Sequence, residues 1–348
     1  VATQTTRQPT ILDALPKAEL HLHLEGSIRP ETAVELAERH DVKLTVEEVA
    51  ARYNYSNFAG FIEAFKWVTS YLRGPEDYAL ITRRLLDELV RQNVVYAEIT
   101  ISAGVMLRRM QNVEANFTAI REASESVVFR RLRTGWIFDA ARQFGPDAAK
   151  EVAVHAAKLA RAGVIGFGMG GDELAFPTVN FRPAFDLARS EGLRIVCHAG
   201  ELGGPESVRE AVEILGAERI GHGIAVMNDL ALAGSLATRR VVLENCISSN
   251  LCTGALAKQT GKASVTVADH PLAQLLARRS LVTLSTDDPA MFHTDLLTEY
   301  SHAASLGLSE EQLLQLAEQS FNAAFLPPIE KRQLLEEFRA AAKSAGLL

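Results

Sequence analysis

The chain has 348 residues, 47% hydrophobic and 23% charged, with 36 basic against 43 acidic side chains and a formal net charge of −7. These values exclude a disordered chain, and no stretch approaches the roughly 20 consecutive apolar residues of a membrane span. The mild acidity argues against nucleic acid or an anionic membrane as partner, because both are met with basic patches that neutralise phosphate. Three cysteines, Cys197, Cys246 and Cys252, exclude a disulfide scaffold and fit a reducing compartment. The leading VATQTTRQPT lacks the basic-then-apolar order of a secretion signal, so a cytoplasmic location is expected.

In chain order, eight short runs rich in β-branched residues alternate with helical patterns. The runs are Glu19–Leu24, Val94–Ile101, Leu132–Phe138, Val164–Phe167, Leu193–Cys197, Arg219–His222, Val241–Asn245 and Leu281–Ser285. Turns and then helical stretches such as Pro205–Leu215 and His270–Arg279 follow them. Alternating β and α elements imply a parallel sheet, and eight such units imply a closed (β/α)8 TIM barrel more than an open doubly wound sheet. Residues 1–348 then form a single domain.

Starts of successive runs lie about 20 to 40 residues apart, except for about 75 between the first and second. Residues 25–93 therefore read as a helical insertion or lid within the barrel. Pro30–Asp41 is predicted as one amphipathic helix and Asn57–Leu72 as another, rich in aromatics. Phe58, Phe61, Phe65 and Trp67 at helical spacing suit packing on the barrel, and they also suit a cover over its mouth. After the eighth run, Ser309-Glu-Glu-Gln312 has capping-box spacing, and Pro327-Pro328 separates that helix from a last charged one.

Barrel active sites lie at the C-terminal ends of the strands, so the residues there carry the functional signal. The first run carries His21 and His23, whose i, i+2 spacing points both imidazoles to one face. The fifth run is followed by His198, the sixth ends in His222, and Asp287-Asp288 follow the eighth. Imidazole and carboxylate are zinc-type ligands, and a catalytic site needs about three or four plus water. His40, His155 and His302 fall in helical stretches, while His270 and His293 lie in connecting segments; all five read as structural.

Two other motifs compete. Gly166-Phe-Gly-Met-Gly-Gly171 formally matches the dinucleotide fingerprint, yet Asp172-Glu173 and Pro177 follow it, with no helix start to receive a pyrophosphate. It reads better as a glycine loop that lets a ligand approach the backbone. Cys197 precedes His198 and so faces the opposite side of its strand, as a packed, inert thiol does.

Taken in order, His21-Leu-His-Leu-Glu-Gly26, His198-Ala-Gly-Glu201, Gly221-His-Gly223 and Ser285-Thr-Asp-Asp-Pro289 resemble the zinc-dependent adenosine deaminase family of the amidohydrolase superfamily. The resemblance implies a (β/α)8 barrel with helical additions after its first strand. It implies one zinc ion per chain on His21, His23, His198 and Asp287, with Glu201 donating a proton to N1 of a 6-aminopurine. Asp288 would then bond N7, the Gly171 backbone would contact N3, and His222 would orient or deprotonate the attacking water. Attack at C6 loads electrons onto the ring, so an acid at N1 must keep its proton through a raised pKa in a dry site. The lysine that bridges two metals in binuclear relatives has no counterpart in Gly168-Met-Gly-Gly-Asp-Glu173, which favours a single metal. Cysteine-ligated nucleobase deaminases use H-x-E together with P-C-x-x-C; His23-Leu-Glu25 has the form of the first, but P-C-x-x-C does not occur in this sequence.

Two departures from the family pattern bear on substrate. Cys246-Ile-Ser-Ser-Asn250 has isoleucine where proline is usual. Glu25 stands where many adenosine deaminases have an aspartate against the ribose 5′-hydroxyl, and glutamate there is common in relatives acting on adenine or 5′-substituted adenosines. The expected activity is hydrolytic deamination of adenosine or an adenosine-like nucleoside. Aminodeoxyfutalosine, a menaquinone-pathway intermediate, and adenine are the alternatives, and a cyclic amidohydrolase is more remote. Glu25, Gly171, Asp288, Phe61 and Phe65 are the expected substrate contacts. A small purine is the expected partner, and homo-oligomers are compatible with the sequence.

Overall fold

The computed structural model describes residues 10–347, so all but the last residue of the segment read above for a secretion signal lies outside it. Eight strands follow one another around a single sheet: β1 Lys17–His23, β2 Val94–Ile101, β3 Arg133–Ala141, β4 Val164–Gly170, β5 Arg194–Ala199, β6 Arg219–His222, β7 Val242–Asn245 and β8 Leu281–Leu284. Every neighbouring pair is parallel. Each predicted run overlaps one strand, with ends that differ by up to three residues, and the architecture is the expected (β/α)8 barrel.

The seam between β8 and β1 is closed just beyond β8. Asp287 donates its amide to the His21 carbonyl at 3.0 Å and accepts from the His23 amide at 2.8 Å. The helix Glu310–Ala323 packs across the outside of this seam against β8 and β1. Its predicted capping box is formed, with the Ser309 hydroxyl accepting from the Gln312 amide.

β4 runs three residues further than its apolar run, through Gly168-Met-Gly170, because these glycines leave room for a side chain. A Cβ on Gly168 would lie 3.0 Å from Asp139 Oδ1, and one on Gly170 would lie 3.2 Å from Asp139 Oδ2. The glycine-rich stretch is thus a strand end that accommodates an inward carboxylate from β3, and it opens no nucleotide-binding helix.

Between β1 and β2 lie four helices: α1 Pro30–Glu38, α2 Val46–Arg52, α3 Phe58–Thr69 and α4 Pro75–Arg91. α1 stops short of its predicted end because the chain turns at Asp41, whose φ is 59°. α4 packs on β2 and on the helix Val113–Ser124, so it occupies the outer ring as the barrel's first crossover helix. The surplus is α1 to α3, and α3 lies over the C-terminal mouth. Asn57 caps it through the Gly60 amide at 2.9 Å. Tyr53 accepts from His293 Nε2 through its carbonyl at 3.1 Å, and Tyr55 donates to the Met291 carbonyl at 2.6 Å, fastening this cap to the segment after β8. Among the described residues no helix is long and apolar enough to cross a membrane.

Candidate active site

The inner face of β1 carries His21 and His23 to the barrel mouth, as the period of a strand requires, and both are buried. β5 brings His198 and β6 brings His222. His21 with His23 and His198, and His21 with His222 and Asp287, form sets whose ligand atoms all lie within 4.8 Å of one another. Asp287 Oδ1 is 3.4 Å from His21 Nε2 and 3.3 Å from His23 Nε2. His21 Nε2 and Asp287 Oδ1 are buried and carry no hydrogen bond. Converging donors without hydrogen-bond partners fit a cation, since buried polar atoms are otherwise satisfied.

The field points the same way. Burial pushes His23 down to about 4 and His198 well below the usual imidazole range, so both are neutral, as ligands must be. His21 is opposed by burial, yet Asp287 and Glu244 hold its proton up to about 10, and the same negative field favours a divalent cation.

Behind these donors stands a set of side chains that orient them. His21 Nδ1 pairs with Glu244 Oε2 at 2.9 Å, and Glu244 Oε1 faces Arg219 Nε at 2.6 Å. Arg219, 1% exposed, also pairs with Glu98 and stacks on Phe325 at 3.6 Å. With Glu244 taking the Nδ1 proton, Nε2 of His21 faces the site, where a bound cation would take the place of its proton. Ser249 donates to Asp287 Oδ2 at 2.7 Å. The amide of Asn250, with its oxygen 3.2 Å from His270 Nε2, meets His222 Nδ1 at 3.0 Å. The donors of Cys246-Ile-Ser-Ser-Asn250 are therefore in place although isoleucine stands in the motif. His270, read as structural, acts behind Asn250.

His222 and Asp287 sit at φ 63° and 67°, a region few non-glycine residues adopt. The Asn245 side chain bonds the His222 carbonyl at 2.6 Å, and β1 clamps Asp287 at both its amide and its carbonyl. The motif glycines clear the space: a Cβ on Gly26 would overlap Asp288 Oδ1 at 1.7 Å, and one on Gly221 would lie 2.6 Å from His21 Cε1.

Above the His/Asp cluster lies a cavity of about 310 Å³, lined by His23, His198, Glu201, Asp287, Asp288, Asp139, Gly171 and Thr253, and by Phe58, Phe61, Ile62 and Phe65 of α3. Glu201 is 3% exposed, and His222 Nε2 lies 3.5 Å from its Oε2. Desolvation, then the charges of Asp287 and Glu173, hold the Glu201 carboxyl well above the usual range. Asp288 is likewise pushed up, by desolvation and then by Asp287, whose own carboxyl is held low by its histidines against the pull of burial. Charge and burial therefore push the two adjacent carboxyls in opposite directions.

The profile of the family described as Adenosine deaminase matches residues 16–341. The chain belongs to the adenosine deaminase family. It is 39% identical over 337 residues to "Aminodeoxyfutalosine deaminase" of Streptomyces avermitilis, covering 94% of this chain and 91% of that one. It is 34% identical to "Adenine deaminase" of Rhizobium leguminosarum, covering 92% of this chain and 98% of that one. The crystal structure of adenine deaminase from Arthrobacter aurescens superposes with a TM-score of 0.87 at 29% identity, over 95% of this chain and all of that one.

Against these family expectations, the structure brings His21, His23, His198, His222, Glu201, Asp287 and Asp288 together and sets Gly171, at φ 87°, in the wall. Phe61 and Phe65 line the cavity, whereas Trp67 turns away to stack with Arg52 at 4.4 Å. Glu25 departs from its expected place. It is buried behind Ser102, accepting from the Ser102 amide at 3.0 Å and hydroxyl at 3.2 Å, and Ser102 forms the lining. The extra methylene relative to aspartate is absorbed in reaching Ser102. Cys197 is packed as expected, its thiol pushed up to about 12 by burial. Asp139, pushed up to about 8 chiefly by desolvation, lines the cavity without having been legible in any motif. A carboxylate opposite two glycines on the next strand is the signal that could have found it.

Proposed function

We propose that this adenosine deaminase family member hydrolyses a 6-aminopurine at C6, releasing ammonia and the 6-oxopurine, with one zinc ion held by His21, His23, His198 and Asp287. The observation that carries this reading is the meeting of an unsatisfied His/Asp donor set with two buried carboxyls, Glu201 and Asp288, in one cavity, where burial favours their protonated forms. All four proposed ligands are nitrogen and carboxylate donors, the set that zinc takes in hydrolases. A bound zinc ion lowers the pKa of water to about 7 and so supplies a nucleophile at neutral pH.

The protein's own groups do the rest. Glu201 donates its proton to the ring at N1 as electrons arrive from C6. Protonated Asp288 donates a hydrogen bond to N7, which a carboxylate could not. With Asn250 donating to Nδ1, His222 carries its proton on Nε2, directed at Glu201 and, at 3.8 Å, at Asp287 Oδ2. It is placed to orient the attacking water. The apolar rings of α3 exclude bulk water, which keeps Glu201 protonated. The test is ammonia release by the zinc-loaded protein from adenine, adenosine and 5′-modified adenosines; release from none of them overturns the proposal.

A second observation bears on which 6-aminopurine is taken. A cavity of about 310 Å³ exceeds what a lone base needs, and beyond the aromatic rings its lining includes Lys66, Arg108 and Arg109. Arg109 is committed to the Thr69 and Lys66 carbonyls and the Thr69 hydroxyl, and Arg108 lies 5.6 Å over the Phe144 ring. Aromatic walls ending in cations favour a nucleoside extended at the 5′ side by a flat or anionic group. We therefore place 5′-extended adenosines, the class that includes aminodeoxyfutalosine, ahead of adenine.

A further inference from the structure

The turn Gly200–Gly204 carries Glu201 from β5 into the cavity, and its backbone is held from two sides by residues that do not line that cavity. On one side the carboxylate of Glu173, 5% exposed, accepts the amides of Gly200 at 2.6 Å, Glu201 at 3.1 Å, Leu202 at 2.7 Å and Gly203 at 2.7 Å. It also accepts the Ser207 hydroxyl. On the other side Gln259, in the helix Ala255–Thr260, donates Nε2 to the carbonyls of Glu201 at 2.8 Å and Gly203 at 2.6 Å. Gly203 must be glycine, because a Cβ there would lie 2.4 Å from Glu173 Oε1.

Four consecutive amides aimed at one point form an anion nest, and a carboxylate offers the roughly four lone-pair sites that such a nest requires. Left alone, those buried donors would drive the turn to rearrange toward water or other acceptors. Glu173 also stands two residues beyond Gly171, which lines the same cavity, so one short loop after β4 contributes to the cavity wall and holds the turn that bears Glu201.

We propose that Glu173 is the positioning residue of the proton donor: by gathering these four amides it fixes the turn that aims the Glu201 carboxyl at the substrate. The proposal rests on the reading of Glu201 as the acid. Glutamine cannot replace it, since Oε2 takes the Glu201, Leu202 and Gly203 amides and Oε1 takes the Gly200 amide, so an NH2 group in either place would oppose a donor. Aspartate keeps the charge with a shorter reach.

In the zinc-loaded protein, Glu173→Gln is expected to lower kcat about 10²-fold, the scale on which small misplacements cost rate. KM should change by less than about threefold, with metal content equal to that of the unaltered chain. Glu173→Asp should recover part of the lost kcat. In a Glu201→Gln background, Glu173→Gln should add no further loss, because its effect runs through the acid. A kcat within about threefold of the unaltered protein, or full additivity of the two changes, overturns the proposal. If Glu173→Gln does not fold, Glu173→Asp carries the same cycle: coupling to Glu201→Gln supports the role and additivity overturns it. Failure of the parent reading shows separately, as a Glu201→Gln protein that retains its rate.

Discussion

At the floor of the cavity the polar side chains are held in place by partners outside it: His21 by Glu244, Asp287 by Ser249 and β1, His222 by Asn250 through its ring and Asn245 through its carbonyl. At the mouth the lining is Phe58, Phe61, Ile62 and Phe65 packed by ring contacts, followed by exposed Lys66 and Arg108. Lys66 pairs on the surface with Glu63, and Arg108 lies over the Phe144 ring with no ion pair among the described residues. The floor is therefore preorganised for one geometry, whereas the mouth presents area and charge without fixed directions. Chemistry that develops charge needs the first, and selection among substrates needs only the second.

The comparison breaks most readily at the floor. Asp287→Ala is expected to abolish stoichiometric metal binding and with it all measurable turnover, read by metal analysis after dialysis; retained metal would remove Asp287 from the ligand set. Glu201→Gln should keep its metal and lose about 10²- to 10⁴-fold in kcat, the usual worth of a positioned acid. Equal metal loss in both variants would collapse the division between ligand and acid. Ser249→Ala, one layer out, should weaken metal affinity by about 10- to 100-fold, measurable by chelator competition.

Acidity sharpens the same contrast. In its proposed role Glu201 acts protonated, and burial raises its pKa well above the ordinary 4.5, so the acid is intact below the raised value and lost as pH climbs through it. The pH profile of kcat/KM should fall on its alkaline side, with the limb well above the common carboxylate range. A limb near 4.5 would mean that the cavity is wetter than its aromatic cover implies. The smallest effect belongs to the mouth: Arg108→Ala should raise KM about tenfold for a 5′-extended anionic nucleoside and leave kcat nearly unchanged. An equal effect on adenine would show that Arg108 acts on the cap itself and does not read the substrate.

The strand pattern and the strand ends were legible in the sequence because both follow from local rules. Apolar runs divided by helical patterns make a parallel barrel, and a strand's period of two puts His21 and His23 on one face whatever surrounds them. The proposed ligands and acid lie within two or three residues of a strand end, which is why motif spacing sufficed for them. Tertiary structure alone decided the supports. Glu244 reaches His21 across 223 residues of chain, Asn250 meets His222 across 28, and Glu173 meets the turn of Glu201 across 28. Hydrogen-bond partners so far apart leave no periodic trace. Glu25 makes the same point in reverse: its motif position suggested the ligand, but the folded chain offered Ser102 at 3.0 Å, and a buried carboxylate takes the nearest donors it finds.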